Sequence, residues 1–130
     1  MARSALRFLV ASMAIVAVAC STSSYGLPEA ERTRAYQLPY DQVWNAALDA
    51  LADVKCTVVD RRKDDGVITA RSGFSMSNSR GGEVRVLVTR RGETVRVDAG
   101  MEIPSWTGDL GESKRTIKKY LVALDARLGQ

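Results

Sequence analysis

Val84-Arg85-Val86-Leu87-Val88-Thr89, the turn Arg91-Gly92-Glu93, and Thr94-Val95-Arg96-Val97-Asp98-Ala99-Gly100-Met101-Glu102-Ile103 together decide the fold. Val84, Val86 and Val88 fall on one side of an extended chain, with Arg85, Leu87 and Thr89 on the other. Past the turn, Val95, Val97, Ala99, Met101 and Ile103 alternate with Thr94, Arg96, Asp98, Gly100 and Glu102. Successive side chains of a strand point to opposite faces, so a period of two with one polar face predicts an antiparallel hairpin with one side in water. Arg85, Arg96, Asp98 and Glu102 are then expected to pair across strands on the wet face. The valine-rich face needs a second layer to cover it.

That layer is written on either side of the hairpin. Tyr40, Val43, Trp44, Ala47, Leu51 and Val54 fall within about 100° of arc at helical pitch, which predicts a helix over about 40–53. Pro39 suits its first turn, and Asp41 sits near the positive end of its dipole. Trp44, a member of the stripe, reads as a core anchor. Downstream, Leu110, Ile117, Leu121, Leu124 and Leu128 form a second stripe with Tyr120 at its edge. Asp109 and Glu112 stand at capping-box spacing, so this helix is expected to start at Asp109. Lys114, Arg115, Lys118, Lys119 and Arg127 decorate its outer faces. A basic amphipathic helix can rest on a membrane, and a leucine stripe over a sheet can equally be plain core.

Weaker strand signals complete the sheet. Arg32 to Leu38 alternates loosely, Lys55 to Arg61 carries the β-branched Thr57, Val58 and Val59, and Val67 to Arg71 returns after the tight turn Lys63-Asp64-Asp65-Gly66. Cys56 lies in an apolar run and reads as buried filler, the alternative being a reactive thiol. Residues 72–82, with Phe74 and Met76, and 104–108, with Trp106, have no periodicity and read as loops. The order is β-α-β-β-β-β-α. One-sided strands with two amphipathic helices imply an α+β fold, a two-layer antiparallel sheet with both helices on its apolar face.

The N-terminus carries an address. Arg3 and Arg7 precede an uncharged, mostly apolar run from Phe8 to Ala19, and small residues lead into Cys20. The run is short of the roughly 20 residues that span a bilayer, so it reads as a signal peptide, the alternative being an uncleaved anchor helix. Ala17-Val18-Ala19-Cys20 resembles the lipobox of bacterial lipoproteins, with Ala17 where that family favours leucine. The resemblance implies cleavage before Cys20, a diacylglyceryl group on its thiol and an acyl chain on its amine. Ser21 in place of an acid implies sorting to the outer membrane, facing the periplasm. The expected organisation is a signal over 1–19, a lipidated turn-rich tether over 20–31 and one domain over 32–130. Loss of Arg3 and Arg7 with the signal lowers the net charge from +4 to about +2, far from a nucleic-acid footprint.

The whole layout is similar to the small domains of BamC-like outer-membrane lipoproteins. The residues that carry this likeness are Cys20 with its lipobox, Leu38-Pro39-Tyr40-Asp41-Gln42-Val43-Trp44, Gly66-Val67-Ile68 and Val95 to Gly108-Asp109. One such domain is expected here, without the long docking tail of that family.

Chemistry is sparsely provided. The chain contains no histidine, the usual general base and the commonest zinc ligand. Asp60, Asp64 and Asp65 cluster at one hairpin, but Arg61, Arg62 and Lys63 stand among them. Arg80-Gly81-Gly82 leads into a strand rather than a helix, so it is not a phosphate loop. No catalytic residue, cofactor or metal is expected. The expectation is a non-enzymatic envelope module that binds a protein partner through Phe74, Met76 and Trp106, unless these tuck into the core. A second expectation is a binder of cell-wall glycan or anionic lipid using Lys114, Arg115, Lys118 and Lys119.

Overall fold

The computed structural model describes residues 27–72, 82–103 and 111–129. A single 3₁₀ turn at Glu29–Glu31 leads into β1 (Thr33–Tyr36) and helix α1 (Tyr40–Asp53). The strands β2 (Thr57–Arg62), β3 (Val67–Arg71), β4 (Glu83–Arg91) and β5 (Thr94–Glu102) follow, and helix α2 (Glu112–Leu128) comes last. The strands form one antiparallel sheet in the order β1-β5-β4-β3-β2. The fold is α+β, with both helices packed on one face of the sheet and on each other.

The alternation of β4 and β5 translates directly into burial. Val84, Val86, Val88, Val95, Val97, Ala99 and Met101 are buried against the helices. α1 answers with Val43, Trp44, Ala47, Ala50 and Leu51, and α2 with Ile117, Tyr120, Leu121 and Leu124. Full burial of each such aliphatic side chain contributes about 1.5–3 kcal/mol, so the two stripes hold the layers together. Tyr120 reaches across the helix interface and donates its hydroxyl to the Ala47 carbonyl at 3.1 Å.

Four local expectations are corrected. Pro39 caps α1 from outside the helix, with φ −57° and ψ 142°, rather than occupying its first turn. The strand after α1 begins at Thr57, not Lys55, because Lys55 adopts a left-handed φ of 61°. That turn lets the Lys55 and Cys56 amides bond the carbonyls of Ala52 and Leu51 at 3.0 and 2.9 Å, closing the helix end. Cys56 is consequently buried in a helix cap rather than in a strand. α2 starts at Glu112, since Gly111 before it has a φ of 85° that no helical residue adopts; Asp109 lies outside the described residues.

The fourth correction concerns charge on the wet face. Opposite Arg96 stands Thr89, opposite Asp98 stands Leu87, and opposite Arg85 stands Gly100. No two opposite charges of the hairpin therefore face each other directly. Arg85 bonds Glu83 on its own strand at 3.3 Å, while Arg96 and Asp98 are met by Glu29 and Arg32 from the chain ahead of β1. That entering segment is part of the domain. Leu27 is buried in the core and residues 29–31 form the 3₁₀ turn, although their composition assigns them to the tether.

Edges and turns are equally specific. β2, one edge of the sheet, is broken by an irregularity between Val58 and Asp60 that leaves Val59 exposed. A bulged edge strand rich in charge resists pairing with another sheet. Gly66, at the β2–β3 turn, has a φ of 70°, and a Cβ there would stand 2.1 Å from the Val88 carbonyl oxygen.

Candidate functional site

α2 is held on three sides. Its buried stripe faces the sheet and α1. At its C-terminal end, Arg127 bonds both carboxylate oxygens of Asp53 on α1 at 2.5 and 2.7 Å. The guanidinium holds the Asp53 carboxyl below the usual carboxylate range. On the flank toward β1, Asp125 accepts from the Tyr36 hydroxyl at 2.6 Å and from Arg34 Nε at 3.2 Å. Burial, and then the bond to Asp125, pushes the Tyr36 phenol well above its ordinary range, so it stays a neutral donor.

What remains of the helix surface is basic. Lys114, Arg115, Lys118 and Lys119 lie on its outer side. At 100° per residue they share about 140° of arc with Val122, which is 66 % exposed. Beside them runs a shallow groove of about 420 Å³ walled by Ala30, Glu31, Arg34, Lys118, Leu121 and Val122. The 3₁₀ turn through which the chain enters the domain thus lies next to the basic flank.

These cations sit where the helix itself disfavours them. Lys114 and Arg115 occupy the first turn, at the positive end of the dipole, where a cation costs about 0.3–1 kcal/mol. Lys114–Lys118 and Arg115–Lys119 are like-charge pairs at helical spacing, each costing about 0.2–0.5 kcal/mol. Among the described residues no carboxylate forms a salt bridge with Lys114, Lys118 or Lys119. The acid on the same flank, Asp125, is already engaged by Arg34. Val122 and Arg34 belong to this surface although sequence reading passed over them. An apolar residue one position off the stripe, among lysines, is the signal that marks Val122.

A second concave feature lies at the start of α1, lined by Tyr40, Asp41, Lys63, Asp64, Asp65, Gly66, Val88, Thr89 and Arg90. Arg90 stacks over the Tyr40 ring at 4.4 Å, and Tyr40 in turn stacks on Trp44 with ring centres 6.2 Å apart. The Tyr40 hydroxyl donates to the Lys63 carbonyl at 3.0 Å, while Lys63 Nζ pairs with Asp41 at 2.9 Å. The bond from Lys63 lowers the Asp41 pKa, and burial raises that of Tyr40. A carboxylate held charged and a phenol held neutral make a latch between α1 and the hairpin, not a proton-transfer pair. Asp60 pairs with Arg62 at 3.1 Å on the same hairpin.

The remaining predicted site residues, Cys20, Phe74, Met76 and Trp106, lie outside the described residues. The flanks of the two loops do fall within them, and they meet. The Ser72 amide bonds the Gly82 carbonyl at 3.0 Å, and the Gly82 amide bonds the Ser72 hydroxyl at 2.9 Å. Glu83 is in register with Glu102, and a Cβ on Gly82 would stand 3.0 Å from Ile103 Cγ1. Ser72, Gly82 and Ile103 therefore lie at a single corner of the sheet. Among the described residues no helix is long and apolar enough to cross a membrane, and no three potential metal ligands gather.

No family model matches the chain, and no curated protein matches it. Among solved structures it is similar to TTHA0849 from Thermus thermophilus, at 17% identity and a TM-score of 0.39, over 74% of this chain and 93% of that one. It is also similar to Ara h 8.0201, at 7% identity and a TM-score of 0.35, over 75% and 95% of the two chains.

Proposed function

We propose that this chain is a non-enzymatic envelope lipoprotein, anchored at Cys20 in the outer membrane and facing the periplasm, whose domain binds a protein partner. The partner surface is carried by Phe74, Met76 and Trp106, whose segments join the described chain at the corner of the sheet formed by Ser72, Gly82 and Ile103. The observation that supports this is the contact between the loop flanks, Ser72 and Gly82 on one side and Ile103 on the other. Two segments far apart in sequence are flanked by residues of one corner, and both carry the large side chains that anchor interfaces.

The test is a crosslinked pull-down from membranes expressing the lipidated chain, with Cys20→Ala as control. A specific envelope protein recovered with the lipidated chain, and lost with Phe74→Ala combined with Trp106→Ala, is the expected result. Substantial destabilisation by both substitutions in the purified protein would place these side chains in the core and remove the interface.

A further inference from the structure

We propose that the basic flank of α2 docks on anionic phospholipid, so that the domain sits on the bilayer that anchors it in a fixed orientation. This deepens the reading above and rests on anchoring at Cys20. The charge arrangement is the first ground. Lys114–Lys118 and Arg115–Lys119 are like-charge pairs, Lys114 and Arg115 oppose the helix dipole, and the large apolar side chain among them, Val122, faces water. Cations around an exposed apolar residue on a helix are the chemistry of a lipid interface, where headgroup charge and the acyl boundary meet both at once. Glu31 at the rim of the groove, Glu112 in the first turn and Asp125, already paired with Arg34, oppose this attraction, but the four cations and Arg34 outnumber them.

Reach is the second ground. Leu27 is packed in the core, seven residues after Cys20, so a lipid on Cys20 lies at most about 25 Å from it. Ala30 and Glu31, just past Leu27, wall the same groove as Lys118 and Val122. The chain from the anchor therefore enters the domain beside this flank, at the β1 edge of the sheet and not at the β2 edge. Surface attraction decays within a Debye length of about 8 Å, so proximity of this kind is what makes it effective. A lipid chain and a basic patch on one side of a domain act as two membrane signals that reinforce each other.

The test uses the full chain with Cys20→Ala, sedimented with vesicles of phosphatidylglycerol and phosphatidylethanolamine in equal parts and with vesicles of phosphatidylcholine. Binding to the anionic vesicles is expected, weakening as salt is added. Replacing Lys114, Arg115, Lys118 and Lys119 by glutamine should lower it on the order of fivefold per cation. A charge-matched variant with Lys55→Gln, Arg61→Gln, Arg71→Gln and Arg91→Gln should keep it, and circular dichroism should show both variants folded. Equal binding to both vesicle types, equal loss in the charge-matched variant, or capture by insoluble peptidoglycan instead of anionic vesicles would overturn the docking face. Fatty-acid labelling of the unsubstituted chain reads the anchor separately. Absence of label overturns anchoring alone, and failed sedimentation overturns the docking face alone.

Discussion

Replacing Gly66 and Gly92 in turn by alanine separates backbone conformation from close packing. Both glycines are left-handed, with φ of 70° and 60°, so any side chain meets the same conformational penalty of about 1–2 kcal/mol. At Gly92 nothing lies within 4 Å of the new Cβ. Alanine also restricts the unfolded chain, which returns about 0.4–1 kcal/mol, so Gly92→Ala should cost about 1 kcal/mol. At Gly66 the Cβ would stand 2.1 Å from the Val88 carbonyl oxygen and 3.2 Å from its carbon. The strand cannot yield without breaking the 2.7 Å bond from the Val88 amide to the Gly66 carbonyl, worth about 1 kcal/mol net. Displaced packing around Ile68 and Val86 adds to this, so Gly66→Ala should cost about 3 kcal/mol or more. For a domain of this size that is a fall in Tm of roughly 15 °C, against about 5 °C for Gly92→Ala. Urea titrations followed by far-ultraviolet circular dichroism measure both. Equal losses would refute the close approach of the β2–β3 turn to β4.

Other expectations follow from the caps, the buried phenols and the basic flank. Lys55→Gly should stabilise the domain by about 0.5–1 kcal/mol in the same titration, because Lys55 holds a left-handed φ that glycine adopts without strain. Burial pushes the phenols of Tyr36 and Tyr120 well above their ordinary range, so the folded state keeps protons that the unfolded state sheds near pH ~10. Their contribution is full below that pH and is lost as pH rises beyond it; Tyr120→Phe should cost about 1 kcal/mol at neutral pH and weaken the alkaline loss. Lys114→Gln with Arg115→Gln should stabilise the fold by about 1 kcal/mol at low ionic strength by relieving two like-charge pairs and the dipole, and a thermal melt in high salt should erase the gain.

Periodicity made the sheet core and both helices legible, and tertiary pairing hid most of the rest. The valines of β4 and β5 and the stripe of α1 follow from the periods of strand and helix alone. Lys55 carried no cap signal because glycine, not lysine, normally occupies that turn, and the apolar run from Val54 to Val59 looked like strand throughout. Leu27 sits between Gly26 and Pro28, and local composition there says turn; only its packing against the core reveals it as part of the domain. The ion pairs of the wet face depend on register and on β1 lying beside β5, which no local pattern encodes. The candidate site divides the same way. Its four cations were visible as a helical face, whereas their nearness to the entering chain depends on β1 and the 3₁₀ turn packing beside α2.

Anchoring at Cys20 underlies both the envelope role and the orientation on the bilayer. Mass spectrometry of the mature N-terminal peptide, from cells fed an alkynyl fatty acid, tests it. The reading expects a chain that begins at Cys20 and carries a diacylglyceryl group, with the label abolished by Cys20→Ala. An unlabelled chain, or one that still begins at Met1, would contradict it.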